Sequence, residues 1–251
     1  MIKSLGGELK KLIIILSLLL SLSMANVTDI DGNVYETVLI GEQLWMAENL
    51  KVTHYNDGSE IPTGYSGSEW AQLETGAYAI YPTYSIDDAS DTSETTCEDD
   101  CADVYGNLYN WYAVDDDRGV CPDGWHVPSD DEWTILTDFI APAGIDSIIW
   151  EHSIAGGKMK EAGLDHWNYS SNEIAEEATN ESGFTALPGG YRYHDGIYYY
   201  MSYVGYFWSS SEYYGSNSYN AWGRILSYDN SNVSRVAIDK QGGFSIRCLK
   251  D

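Results

Sequence analysis

Positive charge is scarce in this sequence: 13 Lys and Arg stand against 39 Asp and Glu in 251 residues, a formal net charge of −26. Such a field repels phosphate backbones and anionic bilayers, which excludes nucleic acid as a partner. Long apolar runs are scarce too. The run from Leu12 to Leu22 falls well short of the ~20 residues a helix needs to cross a bilayer. With Lys3, Lys10 and Lys11 before it and Ser23-Met24-Ala25 after it, the segment 1–25 reads as a secretory signal peptide cleaved after Ala25. The expectation is one exported domain over 26–251, secreted or at the cell surface, with no membrane insertion after cleavage. Removing three lysines and Glu8 leaves ten bases against 38 acids, or −28. A solvated acidic surface accounts for that charge; a weak calcium requirement is the sharper alternative, and calcium is the only cofactor left open.

Catalytic signatures are also missing. The five histidines, His54, His126, His152, His166 and His194, fall at no HExxH or i,i+4 spacing, and no GxSxG elbow occurs. Asp115, Asp116 and Asp117 are neighbours on one turn and cannot flank a glycosidic bond. His126, between Trp125 and Val127, is expected at a buried junction. Paired CxxC zinc spacing is absent. The four cysteines, Cys97, Cys101, Cys121 and Cys248, instead suit disulfides in an exported chain. Three pairings are open; Cys97 and Cys101 are near enough for a local clip, which would leave Cys121 to reach Cys248.

What is present is strand, turn and aromatic. A hairpin is expected from the alternating run Val34 to Ile40, a Gly41-Glu42 turn, and Gln43 to Met46. Asp29, Asp31 and Asn33 imitate the start of an EF-hand loop, but Ile40 stands where the twelfth-position acid belongs, so a turn is expected. Residues 85–103 carry eight acids and no base, an exposed loop or a calcium loop. Tyr105 to Val114 suits a buried strand. In CPDGWHVPSDDEW, Ser129 and Glu132 form a capping box, and Trp133, Leu136 and Ile140 share a face, so a helix from Asp130 to about Ile140 follows. This segment is the structural keystone: Cys121 tethers, Trp125 and Trp133 fill core, and Pro128 and Ser129 launch the helix. Together these elements make an α+β fold of mixed antiparallel sheets with one or two helices and much loop.

Thirteen aromatics crowd the 32 residues from Tyr191 to Trp222, too many for one core stripe, so some must face solvent. In EYYGSNSYNAWGRILSYDNSNVSRVAI, Tyr, Ser, Asn and Gly dominate, as in antibody contact loops, where tyrosine offers large area at low entropy cost. Tyr213, Tyr214, Asn217, Tyr219, Asn220, Trp222, Asp229, Asn230 and Asn232 are therefore the expected ligand-binding face; the alternative is that half of them cap strands and turns.

The ordered series VTDIDGNVYETVLIGEQLWMAENL, YGNLYNWYAV, CPDGWHVPSDDEWTIL, GGKMKEAG, GFTALPGGYR, FWSSSEY and FSIRCLKD resembles the Fibrobacter succinogenes major paralogous domain family over nearly the whole mature chain. The resemblance implies a C-type-lectin-like fold, akin to formylglycine-generating-enzyme-like and retroelement-diversified proteins, with Cys121–Cys248 as its long-range bridge. The Glu-Pro-Asn, Gln-Pro-Asp and Trp-Asn-Asp calcium motifs of sugar-binding C-type lectins are absent, as is the cysteine pair of formylglycine-generating enzymes. The expected function is an exported, non-catalytic binding or adhesion protein that presents its C-terminal face, diversified by a retroelement or not, to an extracellular protein or glycan. A carbohydrate-binding module and a secreted polysaccharide hydrolase are the alternatives.

Overall fold

The computed structural model describes residues 26–82, 101–141, 150–151, 154–215 and 219–251. The expected signal peptide, Cys97, Asn217 and most of the acidic 85–103 stretch lie outside them. Among the described residues no helix is long and apolar enough to cross a membrane.

The described residues form fourteen strands and six short helices. The strands are β1 (Val27–Thr28), β2 (Val34–Tyr35), β3 (Thr37–Ile40), β4 (Gln43–Met46), β5 (Tyr78–Ala79), β6 (Leu108–Tyr109) and β7 (Trp125–His126). They continue with β8 (Trp150–Glu151), β9 (Gly189–Arg192), β10 (Tyr198–Met201), β11 (Val204–Glu212), β12 (Asn220–Ser227), β13 (Val233–Asp239) and β14 (Leu249–Lys250). The helices are α1 (Gly67–Trp70), α2 (Cys101–Tyr105), α3 (Trp111–Val114), α4 (Asp130–Ile140), α5 (Ala155–Met159) and α6 (Asn172–Glu177). A six-stranded sheet runs β10-β9-β11-β12-β13-β8 and a four-stranded one β3-β4-β14-β7, with two small two-stranded pairs beside them. Between the named strands, pairing is antiparallel except for β9 with β11. The fold is thus α+β and mostly antiparallel, with more helices, all but α4 very short, than the one or two expected.

The expected hairpin forms as β3 and β4, with Ile40 paired to Gln43 and Gly41 supplying the positive φ that the two-residue turn requires. Val34 and Tyr35 leave it to pair with β1. The Asp29 turn forms as well. Its Oδ1 accepts the amides of Asp31 and Asn33, and its Oδ2 accepts Asn33 Nδ2 and the Tyr35 hydroxyl, so four donors converge on the carboxylate. The expected strand from Tyr105 to Val114 is a correction: only Leu108 and Tyr109 pair, and Asn110 then caps helix α3 by accepting the Ala113 amide. A side-chain cap acts over three residues and overrides strand propensity there.

Strand alternation feeds two cores. Trp208 and Cys248 enter one with Trp111, Phe244 and Ile246; their neighbours Phe207 and Leu249 enter the other with Trp45, Trp133 and Phe184. At these positions both faces of the strands are buried, so Phe207-Trp208 and Cys248-Leu249 are apolar at consecutive positions. Ser209, Ser210 and Ser211 interrupt β11 as a bulge, since Trp208 pairs with Gly223 while Glu212 pairs with Ala221. The bulge is a junction: the Ser209 carbonyl accepts Trp111 Nε1, the Ser210 amide donates to the Pro128 carbonyl, and the Ser211 hydroxyl accepts the Asp130 amide.

Helix α4 starts as the capping box requires, with Ser129 accepting from the Glu132 amide and Glu132 accepting from the Ser129 amide. Trp133 is fully buried, whereas Trp125 only half fills core. Cys121 and Cys248 are bonded, with 127 residues of separation. Cys101 is buried in the first turn of α2, and the expected clip to Cys97 falls outside the described residues.

Candidate functional site

The β11–β12 hairpin divides the eight described members of the expected contact set between its two ends; Asn217, the ninth, lies outside the described residues. Tyr213, Tyr214, Tyr219, Asn220 and Trp222 cluster where β11 closes on β12, and the Tyr213 amide donates to the Asn220 carbonyl at 3.0 Å. Asp229, Asn230 and Asn232 sit in the turn beyond β12, roughly 25 Å away along an eight-residue strand. One compact face therefore does not hold all of them.

At the far turn the polar groups satisfy one another. Asp229 Oδ1 accepts from the Ser227 hydroxyl at 2.6 Å and from Asn230 Nδ2 at 2.7 Å, and Asn230 Oδ1 accepts the Asn232 amide. Beneath the turn, buried Lys160 donates to the carbonyls of Ser227 and Asn230 and faces the rings of Trp167 and Tyr169. Burial pushes its ammonium down to about 8. These are the bonds of a turn cap, the alternative the sequence left open for half of the set.

The near end is built differently. Tyr214 is 90% exposed and Tyr219 69%, while Trp222 is pinned. Tyr213 meets the Trp222 ring edge-on at 5.0 Å and the Arg235 guanidinium covers it at 3.5 Å. Arg235 is held by Asp130 at 2.5 Å, and Asp130 also accepts from fully buried Arg224 at 2.8 Å. Burial alone would raise the Asp130 carboxyl, but hydrogen bonds and charge from the two arginines hold it below the ordinary range. A chain of contacts from the first residue of α4 thus fixes the inner wall of the hairpin end, and the two tyrosines project from it. Trp222 precedes Arg224 by two residues in β12, which puts both on the face toward α4. Arg224 and Arg235 were not singled out from the sequence; a lone base inside an apolar strand, as in NAWGRILS, is the signal that marks them. Arg247 in FSIRCL is another such base, buried and bonded to Asn49 and to the carbonyl of Phe184.

Proton chemistry is spread thinly. His126, expected at a buried junction, is 37% exposed, with Nδ1 2.6 Å from Asp251 and Nε2 3.0 Å from Glu132. Its neighbours explain the difference: β7 is short and its ring lies over the start of α4 rather than under it. Desolvation opposes the imidazolium, but hydrogen bonds to Asp251 and Glu132 raise its pKa above the ordinary value. A raised folded pKa adds stability that is complete below the unfolded value of 6.5 and is lost as pH rises through the folded pKa. Melting temperature should therefore gain between pH 8 and pH 6, and thermal melts of His126→Gln should show less of that gain; equal gains would refute the coupling. The effect is small because the pair is solvated. Asp116 is bound by Arg118 at 2.7 Å, the turn expected there. The Asp115 carboxyl is raised, first by desolvation and then by Glu212. Among the described residues no group of three or more His, Cys, Asp or Glu side chains can hold a metal ion.

Comparison with known proteins places the sequence in a family. The family model described as the Fibrobacter succinogenes major domain matches residues 38–250. No curated protein and no solved structure matches the chain.

Proposed function

This chain belongs to the Fibrobacter succinogenes major domain family, and from that premise we propose that it is an exported, non-catalytic binding protein, secreted or held at the cell surface, whose hairpin end engages an extracellular protein or glycan. The observation that carries the reading is the contrast at the β11–β12 end. Two tyrosines stand in solvent, Tyr214 almost completely, on a wall that Asp130, Arg235 and Trp222 hold rigid. An exposed large aromatic loses apolar hydration only when something covers it, and a preorganised base lowers the entropy cost of covering it. The fold reading is C-type-lectin-like, supported by the mostly antiparallel α+β architecture and by the Cys121–Cys248 bridge that the resemblance implied.

The test is a glycan-array and surface-extract binding screen, with and without calcium, comparing the protein with the double variant Tyr214→Ala, Tyr219→Ala. Both rings are exposed and contribute little to the core, so the variant should keep its melting temperature. Its affinity for whatever the protein captures should fall about tenfold or more, the scale of a lost aromatic anchor. Undiminished binding by the folded variant would remove the hairpin end as the site.

A further inference from the structure

A second aromatic surface lies on the opposite face of the six-stranded sheet. Its register can be followed strand by strand. Tyr199 of β10 pairs with Tyr191 of β9. Gly190 pairs with Gly205 across β9 and β11, which sets Tyr191 beside Tyr206. Tyr206 then pairs with Ile225 of β12, and Ile225 with Ser234 of β13. Directly opposed residues project to the same side, so Tyr199, Tyr191, Tyr206, Ile225 and Ser234 form one row across five adjacent strands. At a strand spacing of about 4.8 Å the row is roughly 19 Å long. Every member is half-buried. Ile225 and Trp222 are an odd number of residues apart in β12, so this row faces away from the hairpin-end wall.

The tyrosine end of the row is broad, with Tyr206 and Tyr199 tilted by 44° and 32° to the Tyr191 ring. The Tyr191 centroid lies 4.5 Å from Tyr206, 5.7 Å from Tyr199 and 6.1 Å from Tyr200, whose plane is within 18° of its own. Tyr200 is 52% exposed and has φ +59, a left-handed conformation that is costly for a bulky side chain. That turn breaks the strand's alternation and brings the Tyr200 ring beside Tyr191 instead of behind the sheet. Tyr193, 40% exposed, stands edge-on to both Tyr191 and Tyr199 at 6.2 Å. Phe244 rises from the core against Tyr206 at 4.8 Å and supports the array.

The composition of the row selects its occupant. It carries ring faces, one aliphatic side chain and hydroxyl-bearing residues, and it contains no Lys, Arg, Asp or Glu. Arg192, the base next to Tyr191, points to the other face, over Trp70 and Tyr198. An anionic polymer would meet no cation here and would be repelled by a chain of net charge −26. A basic peptide would find no carboxylate within the row. A neutral sugar ring with equatorial substituents has faces lined by C–H bonds, which stack on aromatic rings, and a rim of hydroxyls that suits phenols. We propose that this row is a binding site for a neutral, extended, equatorially linked polysaccharide lying across the strands. The proposal does not rest on the hairpin end as a site.

Affinity electrophoresis in native gels tests it, with hydroxyethylcellulose, xylan, polygalacturonate or polylysine in the gel. Hydroxyethylcellulose or xylan should retard the protein and polygalacturonate should not. Tyr199→Ala at one end of the row and Ile225→Glu at the other, each checked for an unchanged melt, should raise the apparent Kd about tenfold. Two variants on separate strands keep the test decisive if one of them fails to fold. Retardation by polylysine alone, or equal retardation of the protein and its folded row variants, would overturn the proposal. So would retardation abolished in the Tyr214→Ala, Tyr219→Ala variant but kept in Tyr199→Ala, which would place the glycan on the opposite face.

Discussion

Replacing both Cys121 and Cys248 by Ala is expected to lower the unfolding free energy by about 4–5 kcal/mol, the largest effect of any change considered for this protein. The bridge closes a loop of 127 residues of separation, and the entropy it removes from the unfolded chain grows with the logarithm of that length. Its location adds to the effect. Cys248 is completely buried and the Met46 amide donates to its carbonyl, one residue before β14, which pairs with both β4 and β7. The bond therefore ties the last strand to the segment that launches α4. Denaturant titration of the protein and the double variant, with and without reductant, measures this. The midpoint should drop for the variant and for the reduced protein alike, and an unchanged midpoint in both would mean that the bridge is not formed in the folded protein.

Trp133→Ala is expected to cost about 3–5 kcal/mol, the range for truncating a buried aromatic. The indole is fully buried among Trp45 at 4.9 Å, Phe184 at 5.7 Å and Phe207 at 5.8 Å, and its Nε1 donates to the Trp208 carbonyl at 3.2 Å. Truncation leaves a cavity that rigid ring neighbours cannot collapse into, and it orphans a buried acceptor. Trp125→Ala, eight residues earlier, should cost less. That ring is only half-buried, with the Lys250 ammonium 6.0 Å from its centroid. The two variants melted side by side check the burial assignment; a larger loss for Trp125→Ala would contradict it.

CPDGWHVPSDDEW is legible because much of what it does is local. Ser129 and Glu132 are three residues apart and cap one another, and Trp133, Leu136 and Ile140 share a face at helical spacing. Its two tryptophans were equivalent as text, yet one is core and the other lies at the rim. That difference depends on β14 lying against β7 and on Phe184 and Phe207 arriving over Trp133, contacts that span 51 and 74 positions. The basic residues were illegible for the same reason. Arg224 and Arg235 meet Asp130 across 94 and 105 positions, and no spacing rule reaches that far.

The sequence by itself determined the acidic charge, the hairpin with Gly41 in its turn, the Asp29 turn and helix α4, because propensity, capping and period act over a few residues. It also determined that the aromatics between Tyr191 and Trp222 exceed what a core can take. Only the tertiary structure decided which of them stay outside and on which side. When both faces of a strand are aromatic, a period of two carries no sign, and the side is assigned only when β9, β11 and β12 take their register against Trp133, Phe244 and each other. The same register parts Tyr213 and Trp222 from Asp229 and Asn230 by the length of β12, and it aligns Tyr199, Tyr191 and Tyr206 from three strands into one row.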